Sequence, residues 1–236
     1  MLNRRQLLMA VPLGAALPLA ALAQTGALDE TVMTGATQKA MTPDQALAEL
    51  KAGNERFLSG RMYRRDWISQ VKATAAGQYP FAVVLGCIDS RVPPELIFDQ
   101  GIGDVFSPRI AGNFANTDII GSIEFATQLA GAKLIVVLGH TECGAIKGAC
   151  DGAVLGNLTS TLSNLAPAIY AVKDVQTDRT SKNSVFVQKV ADANVRLTVE
   201  ALVQRSSILS DRVAKGELKV VGAMHSVASG RVTFLT

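Results

Sequence analysis

Three side chains able to bind a soft metal ion stand in two short segments, Cys87-Ile88-Asp89-Ser90-Arg91 and His140-Thr141-Glu142-Cys143. Two thiols and one imidazole are a known ligand set for catalytic zinc, and three protein ligands leave a fourth position for water. His140 and Cys143 are three positions apart, so both can reach one ion across a tight loop. Cys87 lies 53 positions before His140, so only folding can join the two halves. Beside them stand Asp89 and Arg91, whose planar fork of donors can grip a carboxylate. Held in that way, Asp89 stays ionised and can accept a hydrogen bond from water on the metal. Alternatively, Asp89 swings onto the metal and closes the site. Plainer readings stand beside these: buried thiols with a core histidine, a Cys87–Cys143 disulfide, or an ordinary loop salt bridge at Asp89.

The elements needed to position these groups are legible around them. Phe81-Ala82-Val83-Val84-Leu85 and Leu134-Ile135-Val136-Val137-Leu138 are apolar runs that read as buried strands, each ending just before a ligand segment. In an open parallel sheet, chemistry collects at the carboxyl ends of strands. Upstream, Thr42-Pro43-Asp44 predicts a helix start, and Ala46, Leu47, Leu50, Phe57 and Leu58 give that helix an apolar face that stops at Gly60. A second short helix is expected from Trp67 to near Gly77. Downstream the pattern predicts a strand near 104–109, a helix over 119–129 and another over about 143–150. A loose glycine-rich stretch follows over 151–157, then a helix over 160–175 broken at Pro167. Helices over 184–206 and 207–215, a strand over 218–224 and a turn at Gly230 complete the chain. This alternation argues an α/β fold with a mainly parallel sheet core flanked by helices.

At 236 residues the chain is expected to hold one sizeable core, and 48% hydrophobic content suits a buried sheet. Aromatics at 5% exclude a stacking surface for single-stranded nucleic acid. Residues 1–23 read as an export signal, with an uncleaved anchor as the plainer alternative: paired Arg4 and Arg5, an apolar stretch from Met9 to about Leu22, and Ala21-Leu22-Ala23 as a cleavage site. The adjacent arginines indicate the twin-arginine type, hence a periplasmic destination reached in the folded state. Removing residues 1–23 takes the formal charge from +3 to +1, so the basic balance implies no nucleic-acid partner and no membrane partner after removal of the signal. Residues 24–41 read as a flexible leader and 42–236 as the domain. Three cysteines in an exported chain invite pairing; folded export would let zinc be loaded before the thiols meet an oxidising compartment.

Cys87-x-Asp89-Ser90-Arg91 with His140-x-x-Cys143-Gly144 resembles the β-class carbonic anhydrases. The likeness extends to Ala46-Leu47-x-x-Leu50-x-x-Gly53-Asn54-x-x-Phe57, Gly101-x-Gly103-Asp104-x-Phe106 and Arg109-x-Ala111-Gly112-Asn113. It continues through Gly121-Ser122-Ile123-Glu124-Phe125-Ala126 to the ending Gly222-Ala223…Ser229-Gly230-x-Val232, covering roughly residues 42–236. The resemblance implies one Zn²⁺ per chain on Cys87, His140 and Cys143, with water, or Asp89 in a closed state, as fourth ligand. Asp89 and Arg91 become a catalytic dyad that orients zinc-bound hydroxide for attack on carbon dioxide, giving bicarbonate and a proton reversibly. Gln78 matches a glutamine that hydrogen-bonds bicarbonate in the plant-like subtype, and Gly144 supplies a nearby N–H. Phe106, Ala111 and Phe125 match apolar pocket positions, although the family often has tyrosine at the place of Phe125. The resemblance also implies a homodimer or larger homo-oligomer. In it the N-terminal helical arm packs on a partner subunit, and Gln78 and Phe125 come from different chains around one zinc.

No proton shuttle is evident. His225 is either a relay or a plain, partly exposed histidine. Cys150 reads as packing, Glu142 as facing solvent or an arginine, Trp67 as an interface or core anchor, and Arg109 and Asn113 as braces. Competing activities are hydrolysis of carbon disulfide or carbonyl sulfide on the same scaffold, a silent zinc scaffold, and a redox protein using Cys87 and Cys143.

Overall fold

The middle of the molecule is a five-stranded sheet whose two central strands are buried on both faces, as near-continuous apolar runs require. The computed structural model describes Leu28–Asp29 and residues 31–235; the signal expected over 1–23 lies outside them. In chain order the elements are β1 (Leu28–Asp29), α1 (Gly35–Ala40), α2 (Pro43–Leu58), β2 (Arg64–Arg65), α3 (Trp67–Thr74), β3 (Ala82–Gly86) and α4 (Pro94–Ile97). Then come β4 (Val105–Phe106), α5 (Thr117–Glu124), a π-helical turn (Phe125–Leu129), β5 (Leu134–His140), α6 (Gly144–Cys150), α7 (Gly156–Ser163) and α8 (Ala166–Ala171). The chain ends with α9 (Ser184–Arg205), α10 (Ser207–Ala214), β6 (Lys219–His225) and β7 (Val232–Phe234). The strand order is β4-β3-β5-β6-β7, parallel except for β7, which returns antiparallel to β6; β1 and β2 form a separate parallel pair.

Alternation along the strands divides the core into two layers. Val83, Leu85 and Cys87 share one cluster with Ile135, Val137 and the buried face of α9, including Val190, Val195 and Leu202. Ala82, Val84, Leu134, Val136 and Leu138 form the other with Ala46 and Leu50 of α2. A reciprocal cap starts α2: Thr42 Oγ1 accepts from Gln45 N–H, and Gln45 Oε1 accepts from Thr42 N–H. At Gly53 a Cβ would stand 1.8 Å from the Phe98 carbonyl oxygen, so only glycine lets α2 lie this close. α2 therefore packs on its own sheet through Ala46 and Leu50. α3 differs, exposing Trp67, Ile68 and Val71 at 45, 65 and 50%.

Several sequence expectations shift. The leader expected to be flexible over 24–41 is, over Gly35–Ala40, a capped helix, tied down by buried Gln38, whose Nε2 donates to the Pro80 and Ala130 carbonyls at 2.8 and 2.7 Å. The strand expected over 104–109 is only Val105–Phe106, because Pro108 has no N–H to continue the ladder. The helix expected over 160–175 is broken as expected, into α7 and α8, but the break falls at Asn164–Leu165 and Pro167 itself sits in the first turn of α8, where its missing N–H costs nothing.

A buried charge cluster fastens the start of the domain. Asp99 is fully buried, and Arg56 Nε and Arg65 Nη1 reach its two carboxylate oxygens at 2.5 Å each. Removing one member of such a cluster strands the others without compensation. Asp99→Ala is expected to lower stability by about 3–5 kcal/mol, read as a reduced midpoint in urea unfolding.

Candidate metal centre

β3 and β5 pair in parallel, so the loops leaving Gly86 and His140 emerge from one edge of the sheet. This brings together the three residues that the sequence separates. A Sγ of Cys87, a Sγ of Cys143 and a ring nitrogen of His140 lie within 4.8 Å of one another, and all three residues are buried. The sulfurs are 4.0 Å apart, about twice a disulfide bond of roughly 2.05 Å. Both cysteines are free, so the disulfide reading is not realised. Tetrahedral zinc with Zn–S bonds of about 2.3 Å separates two sulfurs by roughly 3.8 Å, which the cluster nearly matches.

The imidazole is set for the same purpose. His140 Nδ1 is 2.9 Å from the Thr141 carbonyl oxygen. A carbonyl only accepts, so Nδ1 carries the proton and Nε2 the lone pair. Nε2 is buried without a hydrogen-bond partner and stands 3.9 Å from Asp89 Oδ2. An orphaned imidazole nitrogen beside two thiols is satisfied by a soft divalent ion, so the residues fit Zn²⁺. In the metal-free chain the two thiols shift each other's protonation in opposite directions. Cys143 beside it holds Cys87 well below the ordinary thiol range against the opposing effect of burial, with help from the Gly112 N–H at 3.3 Å. The same contact, reinforced by burial, pushes Cys143 up. Metal binding displaces its proton.

Asp89 and Arg91 meet as a fork on a carboxylate. Arg91 Nε donates to Oδ1 at 2.9 Å and Nη2 to Oδ2 at 2.8 Å, while the Arg91 N–H also reaches Oδ1 at 3.0 Å. The guanidinium holds the Asp89 carboxyl well below the usual carboxylate range. Arg91 Nη2 also lies 3.4 Å from the Glu142 carbonyl, linking the two ligand loops. Arg109 braces the first loop as expected: Nε donates to the Cys87 carbonyl at 2.8 Å and Nη2 to the Asp89 carbonyl at 2.5 Å.

The remaining sequence-derived residues are distributed as follows. Gly144 is the first residue of α6, directly after Cys143. Ala111 lies half-buried next to Gly112. Phe106 and Phe125 pack edge to face with centroids 6.3 Å apart and line a 760 Å³ cavity with Val83, Pro108, Gly121 and Ala126. Gln78 is not brought to the cluster within one chain; it lines a separate hollow with Thr74, Gly77, Ile102 and Gly103. His225 is buried, not partly exposed, because it ends β6 directly opposite His140. Burial first, then the neighbouring His140, pushes its imidazole down to about 4, so it is uncharged at neutral pH. Trp67 is no core anchor. Glu142 faces solvent and pairs with Lys147 rather than with an arginine side chain. Cys150 is half-buried, and burial pushes its thiol up to about 11.

Sequence reasoning missed three supports. Gly112, at φ +85°, turns its N–H toward Cys87 Sγ, and a Cβ there would meet Leu165 at 2.9 Å. Buried Asn194 of α9 donates to the Gly112 carbonyl at 2.8 Å; an amide on a mostly apolar helix face was its signal. Thr141 carries the carbonyl that orients His140.

Residues 82–232 match the family model described as carbonic anhydrase. Carbonic anhydrase 2 of Mycobacterium tuberculosis is 40% identical over 195 residues, covering 80% of this chain and 91% of that protein. The carbonic anhydrase of Mycolicibacterium smegmatis is 35% identical over 196 residues, covering 80% and 92%. Among solved structures, the β-carbonic anhydrase CafA of Aspergillus fumigatus superposes with a TM-score of 0.62 at 30% identity, over 70% of this chain and 79% of that one. A structure from a pair of tetrameric β-carbonic anhydrases of Sordaria macrospora gives a TM-score of 0.62 at 31% identity, over 70% and 84%.

Proposed function

The chain belongs to the β-class carbonic anhydrase family, and from that premise we propose that it interconverts carbon dioxide and bicarbonate at one Zn²⁺ per chain. Cys87, His140 and Cys143 would hold the ion. The observation that carries this reading is the buried Cys–His–Cys cluster with His140 Nε2 left unpartnered. When bound, zinc supplies a Lewis acid that brings water's pKa down to about 7.

The chain's own residues do the rest. Arg91 fixes Asp89 as a carboxylate, which can only accept hydrogen bonds. Asp89 thereby orients a water molecule and takes no proton itself near neutral pH. Arg109 keeps the Cys87–Asp89 backbone from drifting, which positions ligand and acceptor together. Phe106 and Phe125 offer an apolar surface suited to a small, non-polar substrate, and Ala111 and the Gly144 N–H complete the expected pocket. Gln78 is remote from the cluster of its own chain, so it would serve the centre of a second copy, as in the plant-like subtype. A homodimer or larger homo-oligomer would then cover the exposed Trp67, Ile68 and Val71. Residues 1–23 read as a twin-arginine signal, which would place the enzyme in the periplasm.

The test is stopped-flow hydration of carbon dioxide by the chain lacking residues 1–23, paired with zinc analysis. One zinc per chain with fast turnover is expected. Full zinc with no hydration would overturn the assignment of the substrate.

A further inference from the structure

We propose that Thr141 is a positioning residue for His140, acting through a backbone held by its own hydroxyl. The inference rests on reading Cys87, His140 and Cys143 as zinc ligands.

The β5–β6 ladder ends with His140 opposite His225, and Thr141 is the first residue beyond it. Thr141 is fastened twice to the end of β6 and the turn that follows. Its N–H donates to the His225 carbonyl at 2.9 Å, and its Oγ1 accepts from the Val227 N–H at 3.0 Å. Its carbonyl is thereby left to face His140 Nδ1 at 2.9 Å. The next residue, Glu142, has φ +57°, a left-handed conformation that a side-chain-bearing residue adopts at a cost. That cost gives the Thr141–Glu142 peptide a reason to rotate away whenever its anchors weaken. The turn that carries Val227 is itself tied by hydrogen bonds. Ser226 N–H donates to the Arg231 carbonyl at 2.9 Å, and Asn54 of α2 donates to the Gly230 carbonyl at 3.0 Å. A path of hydrogen bonds and chain neighbours therefore runs from α2, through the C-terminal hairpin, to the ligand imidazole.

The proton on His140 Nδ1 is what leaves Nε2 free for a metal, and the partner of that proton sets the ring's direction. Removing the Thr141 hydroxyl strands the Val227 N–H and frees one of two anchors. The effect should appear in metal binding and not only in turnover.

The experiment uses the chain lacking residues 1–23 with Zn²⁺, by competition against a chromophoric chelator, and with Co²⁺, by visible absorption. Thr141→Val keeps the shape and loses the acceptor, Thr141→Ala loses the acceptor with less bulk, and Thr141→Ser keeps the hydroxyl. Thr141→Val and Thr141→Ala are expected to bind zinc roughly 10–100-fold more weakly and to shift the cobalt bands. Thr141→Ser should stay within about threefold of the unaltered chain, with unshifted bands. Equal affinity in Thr141→Val would overturn the inference while leaving the ligand assignment standing. An equal fall in Thr141→Ser would also overturn it, by assigning the effect to the lost methyl group. An unaltered chain that binds no zinc would overturn the ligand assignment and the inference together.

Discussion

Cys143→Ser is expected to empty the metal centre and bring carbon dioxide hydration down by a factor on the order of 10³ or more. A neutral hydroxyl is a far poorer donor to zinc than a thiolate, so only Cys87 and His140 would remain. Cys143 is buried and its sulfur is 4.0 Å from that of Cys87, while Asp89, whose Oδ2 is 3.9 Å from His140 Nε2, is engaged by the Arg91 fork. The measurement is zinc per chain after gel filtration, alongside stopped-flow rates. A variant that keeps one zinc and its turnover would show that the ion sits elsewhere.

Asp89→Asn should separate catalysis from metal binding. The amide is nearly isosteric with the carboxylate, but it loses the charge and presents N–H groups where Arg91 Nη2 or the water now finds an acceptor. Zinc content is expected to stay at one per chain while turnover falls roughly 10²–10⁴-fold. The Arg91 fork holds the Asp89 carboxyl far below neutrality, so the carboxylate is ionised in the unaltered enzyme across about pH 6 to 9. The loss should therefore be similar at every pH in that window. A parallel loss of zinc would instead make Asp89 a ligand.

The meeting of Cys87, His140 and Cys143 was legible in the sequence because each segment follows a buried apolar run. Val83, Leu85 and Cys87 alternate onto one face of β3 and its extension, so the last apolar positions of the strand predict where the thiol arrives. Supports made of backbone were not legible. The Gly112 N–H and the Thr141 carbonyl carry no residue-type signature, and their roles depend on dihedral angles fixed by remote partners such as Asn194 and Val227. Fold-level differences have the same origin. α1 looked like a flexible leader because its six residues are small or polar, and the long-range bonds of Gln38 make it a packed element. The π-helical turn over Phe125–Leu129 was read as ordinary helix, since apolar spacing does not distinguish one widened turn from a regular one.

Burial of the three ligand residues has a kinetic consequence. Arg109 holds the Cys87 and Asp89 carbonyls and Arg91 reaches the Glu142 carbonyl, so release of an ion held by these buried side chains is expected to need movement of a loop and not a side-chain rotation alone. Release waits on an excursion in which one loop lifts, as a protected amide waits to exchange. The dwell time of the ion then becomes a clock for that excursion. Once a chelator is abundant enough to capture every released ion, adding more of it should not hasten the loss.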